Sequence, residues 1–453
     1  MSTWLSTVSF HSLVVVASVL TYILTTRAGR VRRPPSIAIA WVLGMIALPY
    51  LVLPVYLMFG RRKLPRRNMR RLGERSFAGH WAQDLIESFG LPGPSNAQIS
   101  MHQDGSESAA ALFAVMSGAA SRLDICTYII GDDPFGRDVM RRMVELAHGG
   151  VDVRLLLDGV GAVQLPKSYF SALRSGGVHT AIFSPLLARK TQGPRNLRNH
   201  RKMVIADGAR LWAGGRNLAA EYFSGAAGRR PWRDLTFDLQ GRVAAAAAAQ
   251  FEADWVAAGG KPAAATPEVP APPRSTGEAQ FLPSGPDQTE DTVHSLLIDA
   301  CFQSSTRMLA VTPYFVPDTS LETAMRLAAR RGVRIDLCIP ASSNHRLADF
   351  ARNRALRSLS QAGVNVHLLP YMSHAKAVVF DHTLALSGSV NLDSRSLLLN
   401  YECAVVFYGS TEINWLADWI EALIPQTTPF DCRAPGLMRD VCEGLLLTVA
   451  YQL

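Results

Sequence analysis

One motif occurs twice in the 453-residue chain, once in the middle and once near the end. The first copy, at 199–217, reads NHRKMVIADGARLWAGGRN, and the second, at 373–391, reads SHAKAVVFDHTLALSGSVN. Five residue types stand at the same mutual spacings in both copies: His200 and His374, Lys202 and Lys376, Asp207 and Asp381, Gly214 and Gly388, Asn217 and Asn391. The chain has 40 arginines but only six lysines, so two lysines at equivalent places argue against coincidence. The duplication predicts two similar halves.

The similarity extends beyond the motif. SRLDICTYII parallels TRMLAVTPYF, and GGVDVRLLLDG parallels RGVRIDLCIPA. Amphipathic stretches, DVMRRMVELAHGG and SLETAMRLAARRG, lie between these apolar runs. This alternation predicts an α/β fold in which each half is an α/β/α sandwich, with helices packed on a mixed sheet. The Pro- and Ala-rich segment 259–278 lacks periodicity and predicts a linker between a first half at 76–258 and a second at 279–453.

The second copy of the motif has the character of an anion site. Read as a strand, HAKAVVF places the side chains of His374 and Lys376 on one face. Asp381 then closes the strand in a turn, as Asp207 does in the first copy, and we expect both aspartates to stabilise the fold. The small residues of SGSVN allow the backbone to approach a ligand, and Ser389 and Asn391 supply hydrogen-bonding groups.

The first 75 residues predict a membrane element. Two uncharged apolar stretches, about 4–25 and 37–59, approach or exceed the roughly 20 residues that a helix needs to cross a bilayer. They predict a two-helix transmembrane hairpin at 1–75. A cleaved signal peptide is the alternative for the first stretch, but that stretch lacks a basic start and the second would still anchor the chain.

The positive charge of the chain is concentrated beside this element. Residues 1–75 hold 12 Lys and Arg and one acidic residue, whereas the remainder holds 34 basic and 36 acidic residues. A near-neutral body argues against nucleic acid as a partner, and the basic segment 61–71 suits anionic lipid headgroups. Its seven basic residues outnumber the four between the apolar stretches, which predicts a cytoplasmic body.

The six cysteines are dispersed, with no CxxC pair and no histidine at metal-ligand spacing. They read as small core residues rather than as a disulfide framework or a zinc site. We therefore expect neither a metal nor a cofactor.

The doubled HxKxxxxD motif, followed by Gly-Gly/Ser-x-Asn, resembles the phospholipase D superfamily, and the resemblance covers about residue 76 to the C-terminus. The apolar hairpin and the segments GGRNLAAEYF, PWRD, TPYFVPD and NYE look more narrowly like bacterial cardiolipin synthases. The resemblance implies two halves that face each other across a pseudo-twofold axis, so that one site receives a histidine and a lysine from each.

Phosphoryl transfer between alcohols requires a nucleophile, a proton donor and positive charge around the phosphate oxygens. By resemblance to the family, the catalytic motif residues are His200, Lys202 and Asp207 with His374, Lys376 and Asp381. Among them, His200 is the nucleophile and His374 the general acid and base. The same resemblance gives an imidazole-orienting role to two carboxylates, Asp234 and Glu402, but it leaves open which histidine each one serves. The predicted phosphate-binding groups are Lys202, Lys376, Asn217, Asn391 and Ser389. Gly215 stands where the second copy has Ser389, so the first half lacks that hydroxyl.

The resemblance implies transfer of a phosphatidyl group from one phosphatidylglycerol to another in the inner membrane of a bacterial cell, giving cardiolipin and glycerol. Two alternatives stay open. One is a membrane-anchored phosphodiesterase, either a lipid hydrolase or a nuclease. The other is a non-catalytic lipid-binding scaffold, which two intact motifs disfavour. The sequence does not indicate the oligomeric state.

Overall fold

The structure is a computed structural model that describes residues 2–29, 35–60, 79–185, 196–225, 228, 230–263 and 275–447. It begins with three helices, α1 (Ser2–Gly29), α2 (Pro35–Ala47) and α3 (Pro49–Phe59). The second apolar stretch is therefore two helices and not the single helix that the sequence predicts. The break falls at Leu48, whose φ of −138° and ψ of 59° are not helical, because the following Pro49 disfavours the helical conformation in the residue before it.

The three helices meet around the side chains of Tyr22, Met45 and Tyr56. The hydroxyls of Thr25 and Tyr56 join α1 to α3 at 2.6 Å. Across the described residues, none of the helices combines the length and the apolar character that a membrane span requires, so the predicted transmembrane hairpin is not confirmed. The basic segment 61–71 lies outside the described residues.

The first half of the body, described over 79–263 apart from short gaps, alternates helices and strands. In chain order it contains α4 (Trp81–Ser88), β1 (Ser95–His102), α5 (Gly105–Ser117), β2 (Arg122–Thr127), α6 (Pro134–His148), β3 (Asp152–Asp158), α7 (Gly159–Val163), α8 (Lys167–Ser175), β4 (His179–Phe183), β5 (Met203–Ala206), β6 (Arg210–Gly214), β7 (Thr236–Gln240) and α9 (Arg242–Ala257).

The second half, at 275–447, repeats this alternation with additional short strands and helices. It contains β8 (Gly277–Ser284), α10 (Thr292–Gln303), β9 (Arg307–Val311), β10 (Phe315–Val316), α11 (Thr319–Arg330), β11 (Arg334–Pro340), α12 (Arg346–Gln361), β12 (Asn365–Leu369), β13 (Ala377–Phe380), β14 (Leu384–Gly388), β15 (Leu392–Asp393), α13 (Ser394–Leu398), β16 (Glu402–Phe407), α14 (Ser410–Glu421), β17 (Thr428–Pro429) and α15 (Leu437–Leu447). Strand β8 begins inside the predicted linker 259–278, of which residues 264–274 lie outside the description.

Fifteen strands form one continuous mixed sheet. From one edge, the first half contributes β4-β3-β2-β5-β6-β7-β1, and from the other, after β17, the second half contributes β12-β11-β9-β13-β14-β16-β8. The two runs meet where β1 pairs antiparallel with β8, in the register Ser95 opposite Ala279. Equivalent strands therefore occupy equivalent places on the two sides of this junction.

Helices cover both faces of the sheet. Side chains of α9 and α14 pack into one apolar cluster that spans both halves, and the rings of Phe237 and Phe407 meet edge to face at 5.4 Å within it. The opposite face is covered separately, by α5, α6 and α8 in the first half and by α10, α11 and α12 in the second. The mixed α/β architecture predicted from the alternating pattern is confirmed.

The repeated motif crosses between the halves just before β5 and β13. The His200 amide donates to the carbonyl of Tyr401, and the His374 amide donates to the carbonyl of Arg233. Because each histidine segment hydrogen-bonds to the opposite half, the ladders of β5 and β13 begin only after the lysines. The prediction that His374 and Lys376 belong to the strand itself is wrong in this respect.

Candidate active site

Each motif histidine is hydrogen-bonded to a carboxylate of the opposite half. Nδ1 of His200 lies 3.0 Å from Oε1 of Glu402, and Nδ1 of His374 lies 2.8 Å from Oδ2 of Asp234. Both carboxylates are fully buried, and the two imidazoles are 14% and 4% exposed. When a carboxylate accepts the Nδ1 proton, Nε2 of the neutral ring keeps its lone pair for chemistry. This pairing answers the question that the sequence left open.

Glu402 is held ionised by its surroundings. Its carboxylate accepts hydrogen bonds from the hydroxyls of Ser389, at 2.5 Å, and Ser396, at 2.6 Å. Burial alone would raise the pKa of Glu402, but the interactions with His200 and Lys202 outweigh it and lower the pKa to about 2. For Asp234, burial likewise opposes ionisation, and Lys376 and His374 lower its pKa. Both histidine partners are therefore carboxylates at neutral pH.

The two motif lysines are buried beside the histidines. Lys202 Nζ donates to the carbonyl of His200 at 2.8 Å, and Lys376 Nζ donates to the carbonyl of His374 and lies 3.1 Å from its Nε2. Burial lowers the pKa of Lys202 to about 8. Burial, together with repulsion from Lys202, lowers that of Lys376 to about 7. The lysines thus bring positive charge to the histidines while losing protons more easily than exposed lysines.

The same burial keeps the imidazoles neutral. It is the largest cause that lowers the pKa of His374 to about 3, and repulsion from Lys376 adds to it. Burial also lowers the pKa of His200, against the attraction of Glu402. A phosphate anion placed among these groups would favour their protonated forms, because an opposite charge stabilises a cation.

The motif asparagines offer unpaired amide oxygens. Asn217 Nδ2 donates to the hydroxyl of Tyr222 at 2.8 Å, while Oδ1 of Asn217 and Oδ1 of Asn391 are buried without a hydrogen-bond partner among the described residues. Buried polar atoms without partners are uncommon in folded proteins and are often found at functional sites. Each asparagine therefore has one unpaired hydrogen-bond acceptor.

Ser389 and Gly215 stand at equivalent places beside different carboxylates, Glu402 and Asp234. The Ser389 hydroxyl donates to Glu402 and accepts from the amide of Cys403 at 3.0 Å, so its hydrogen bonds support the carboxylate. Its predicted contact with phosphate stays a prediction. In the first half, a Cβ atom on Gly215 would lie 2.2 Å from Oδ1 of Asp234. The shorter aspartate side chain thus occupies the space that a serine would need.

Asp207 and Asp381 lie at the other ends of β5 and β13, away from the histidines. The Asp207 carboxylate accepts hydrogen bonds from the amides of Ala120, Ser121 and Arg122, and the Asp381 carboxylate accepts from those of Ser305, Thr306 and Arg307. Both aspartates adopt left-handed backbone conformations, with φ of 52° and 49°. Their contacts are those of residues that pin a turn to the start of β2 or β9.

Arg201 is a site residue that the sequence reading missed. Its buried guanidinium forms two hydrogen bonds with Asp254, at 2.5 and 2.7 Å, and also bonds Asp287 at 3.1 Å. Its Nε donates to the main-chain carbonyl of Glu402 at 2.9 Å. Arg201 therefore fixes the backbone of the residue that orients His200. The available signal was a break in the repeat, because Ala375 stands at the equivalent place.

Aromatic rings flank the histidines. Tyr128 meets His200 edge to face at 4.8 Å, and Tyr222 meets His374 in the same way at 5.1 Å. Tyr314, from the segment TPYFVPD, lies 6.4 Å from His374. These rings limit access to the imidazoles and were not predicted as a set from the sequence, because the two copies place their tyrosines differently.

The continuous sheet and the paired motifs define a phospholipase D-like fold. The solved structure of phosphatidylserine synthase from Haemophilus influenzae Rd KW20 shares this fold, with a TM-score of 0.61 over 83% of this chain and 100% of that one. Sequence identity between the two is 13%, so the likeness concerns the fold alone.

The sequence gives the narrower assignment. The family described as "Cardiolipin synthase, PLD-like domain" matches residues 112–255 and 297–424. Cardiolipin synthase A of Pseudomonas aeruginosa (strain LESB58) is 31% identical over 95% of this chain and 93% of its own length. That of Pseudomonas entomophila (strain L48) is 30% identical over 85% of each. The chain belongs to the cardiolipin synthase family of phospholipase D-like proteins.

Proposed function

We propose that the chain transfers a phosphatidyl group from one phosphatidylglycerol molecule to the hydroxyl of a second, producing cardiolipin and glycerol. The observation that carries this proposal is the exchange of carboxylates between the halves, which gives each of two histidines a carboxylate partner from the opposite half. A reaction that protonates one alcohol and then deprotonates another needs two such histidines.

In the first step, Nε2 of His200 attacks the phosphorus of the donor lipid. A phosphorus–nitrogen bond forms, the bond between phosphorus and the glycerol headgroup oxygen breaks, and protonated His374 gives its proton to the departing oxygen. The greater exposure of the His200 imidazole, 14% against 4%, supports its assignment as the nucleophile. Its lowered pKa supports a neutral ring that is ready to attack.

In the second step, neutral His374 takes the proton of the acceptor hydroxyl. The acceptor oxygen attacks phosphorus, the phosphorus–nitrogen bond to His200 breaks, and cardiolipin leaves with His374 protonated again. General acid–base catalysis of this kind accelerates a reaction by about 10²- to 10⁴-fold. Asp234 and Glu402 orient the rings and stabilise their protonated forms.

We assign phosphate binding to Lys202, Lys376, Asn217 and Asn391. Two ammonium groups near the histidines would offset the charge that gathers on the equatorial oxygens in the transition state. Phosphate oxygens accept hydrogen bonds, so this role requires each amide to turn its Nδ2 to the position of the unpaired Oδ1, and the Tyr222 hydroxyl could then donate to Oδ1 of Asn217. No step requires a metal or a cofactor.

We further propose that α1, α2 and α3 form the membrane element of residues 1–75 in the inner membrane of a bacterial cell, with the halves at 76–258 and 279–453 on the cytoplasmic side. Large apolar side chains on these helices are more than half exposed to their surroundings, as at Leu13, Leu24, Leu43 and Leu51. The phospholipid substrates of the proposed reaction lie in the same membrane.

The proposed reaction is tested with purified full-length protein and phosphatidylglycerol vesicles. We expect cardiolipin and glycerol in equal amounts, and no product from variants with His200→Ala or His374→Ala whose thermal unfolding matches the parent. Phosphatidic acid as the sole lipid product would replace the proposal with a hydrolase, and cleavage of single-stranded DNA without lipid turnover would replace it with a nuclease.

A further inference from the structure

Helix α15 carries an apolar face that points outward. Leu437 and Met438 are each 80% exposed and Val441 is 50% exposed. Val441 stands four residues after Leu437 and three after Met438, and residues at these spacings share one side of a helix. On the other side of α15, the buried carboxylate of Glu443 accepts a hydrogen bond from Arg357 of α12. The helix is thus anchored through one side and presents large apolar side chains on the other.

Helix α12 continues this surface. The guanidinium of Arg439 in α15 lies 6.0 Å from the ring of Phe350 in α12. Leu347, which is 54% exposed, stands three residues before Phe350 and therefore lies on the same side of α12. The apolar face extends in this way from α15 to the first turn of α12.

That first turn adjoins the candidate active site. The residue before α12, His345, meets the ring of Tyr314 at 6.1 Å, and Tyr314 lies 6.4 Å from the ring of His374. The hydroxyl of Tyr314 also donates to Asn344 at 2.6 Å. A chain of neighbouring residues therefore connects α15, through the start of α12, to a ring that flanks a motif histidine.

The charges around the apolar face are mostly positive. Four arginines are exposed there: Arg346, Arg354, Arg433 and Arg439. Three acids pair with arginines here: Asp440 lies 3.6 Å from Arg357, Asp431 lies 3.6 Å from Arg433, and Glu443 lies 3.1 Å from Arg439. Among the described residues, Arg346 and Arg354 have no acidic partner of this kind, so the positive excess comes from these two. An apolar face bordered by arginines suits the surface of a bilayer that contains anionic lipids.

We propose that this α12–α15 face docks on the surface of an anionic phospholipid bilayer and holds the active-site entrance against it. The face consists of Leu347, Leu437, Met438 and Val441 with the arginines Arg346, Arg354, Arg433 and Arg439. The docking gives lipid headgroups a short path to the histidines, and in this respect it rests on the proposed function. Contact of the face with the bilayer does not depend on turnover.

Kinetics provide the first test. In the full chain, Leu437→Asp combined with Met438→Asp should lower turnover of phosphatidylglycerol in vesicles by about tenfold or more, because charged groups replace the apolar contact. Turnover of a water-soluble, short-chain phosphatidylglycerol should stay within about twofold, since that substrate needs no bilayer. The matched control is Phe302→Asp, which changes an apolar residue of 48% exposure. Phe302 lies at the end of α10, shortly before β9 begins, and that end of β9 is remote from the histidines. Equal losses on both substrates, or none on either, would overturn the proposal.

Fluorescence provides a test that is independent of catalysis. Cys442 in α15 is exposed, and apart from Cys432 the other cysteines are buried, so a Cys432→Ser chain accepts an environment-sensitive dye at Cys442. After reconstitution, the dye should shift to the blue and be quenched by brominated acyl chains in vesicles with phosphatidylglycerol, but not in phosphatidylcholine alone. The response should persist in His200→Ala. An absent response overturns the docking proposal even if cardiolipin forms. A response in detergent without lipid that grows with protein concentration also overturns it, because the face would then bind a second copy of the chain. A clear response without cardiolipin formation would instead refute the proposed function.

Discussion

The Nδ1 atom of His374 lies 2.8 Å from Oδ2 of Asp234, which is 140 residues away in the other half of the sheet. The reciprocal pair, His200 and Glu402, has a separation of 3.0 Å. The histidine of each half is thus hydrogen-bonded to the carboxylate of the other half. Each motif histidine meets its carboxylate partner only because the pairing of β1 with β8 joins the two halves in one sheet.

Replacing Asp234 with asparagine should disable His374 without disturbing the fold. An amide can donate to Nδ1, which favours the wrong tautomer and removes the charge that stabilises the imidazolium. We expect kcat to fall by about 10²- to 10⁴-fold. The measurement is cardiolipin formation from phosphatidylglycerol vesicles.

The conservative change Glu402→Gln is the matched variant, and it should affect His200 in the same way. An exposed carboxylate of the first half, Glu145, provides the control as Glu145→Gln. Near-normal turnover in Asp234→Asn would mean that the carboxylate does not act through the histidine.

Activity should depend on the protonation of the two lysines. The pKa of Lys376 is lowered to about 7 and that of Lys202 to about 8, so their ammonium groups are present below these values and are lost as the pH rises through them. The kcat/KM value should therefore decline on the alkaline side with apparent pKa values that belong to the pair. The decline in kcat should come at higher pH, because bound phosphate stabilises the ammonium groups.

Lys376→Arg tests this interpretation, because a guanidinium keeps its charge over the whole range. The alkaline decline should move to higher pH, even if the maximal rate falls. Lys167→Arg, on the surface helix α8, serves as the control and should leave the profile in place. A profile that Lys376→Arg does not shift would assign the decline to another group.

Asp381 should matter for stability rather than for turnover. Its carboxylate accepts three main-chain hydrogen bonds at the start of β9, and Asp381→Asn would weaken these bonds while keeping a residue that tolerates the left-handed conformation. We expect a loss of roughly 1–3 kcal/mol in the free energy of unfolding, with kcat within about twofold of the parent. Thermal unfolding and turnover are measured on the same preparation.

The stabilising effect of Asp381 should depend on pH. The folded pKa of Asp381 is about 2, below its ordinary 3.8, so its contribution to stability is complete above 3.8 and disappears as the pH falls toward 2. The stability difference between parent and Asp381→Asn should shrink over that window. Loss of activity at unchanged stability would return Asp381 to the chemistry.

The sequence predicted the repeated unit well because hydrophobic alternation and turn residues are local signals. It singled out the histidines and lysines as candidates because two copies could be compared residue by residue, and the structure places each lysine beside its histidine. The partner of each histidine could not be predicted, since it depends on how the halves face each other. Arg201 was not predicted for a related reason: comparison of the copies shows only that Ala375 stands at the equivalent place, and not that Arg201 contacts Asp254 and the Glu402 carbonyl.

The helix break at Leu48 was within reach of the sequence. Pro49 restricts the residue before it, and the apolar length of the segment carries no information about that restriction. The length of an apolar segment indicates how much apolar surface it carries, whereas the position of Pro49 determines where the helical hydrogen bonds are interrupted. The two kinds of signal answer different questions.

The residue after the motif glycine should match the length of the orienting carboxylate. Ser389→Ala removes a hydrogen bond to ionised Glu402, and we expect a decrease in kcat of about tenfold, since such charge-assisted bonds contribute about 1.5–3 kcal/mol. Gly215→Ala should lower kcat further than Ser389→Ala does. Its new Cβ would lie 2.2 Å from Oδ1 of Asp234 and force that carboxylate away from His374.

A double variant separates this matching from general damage. Ser389→Gly with Glu402→Asp recreates in the second half the combination found at Gly215 and Asp234. If matching governs the geometry, the double variant should be more active than Glu402→Asp alone, because the shorter carboxylate then gains the space that it occupies in the first half. Additive losses in kcat would show that the serine and the carboxylate act independently, since residues that share one interaction couple by about 0.5–3 kcal/mol in such cycles.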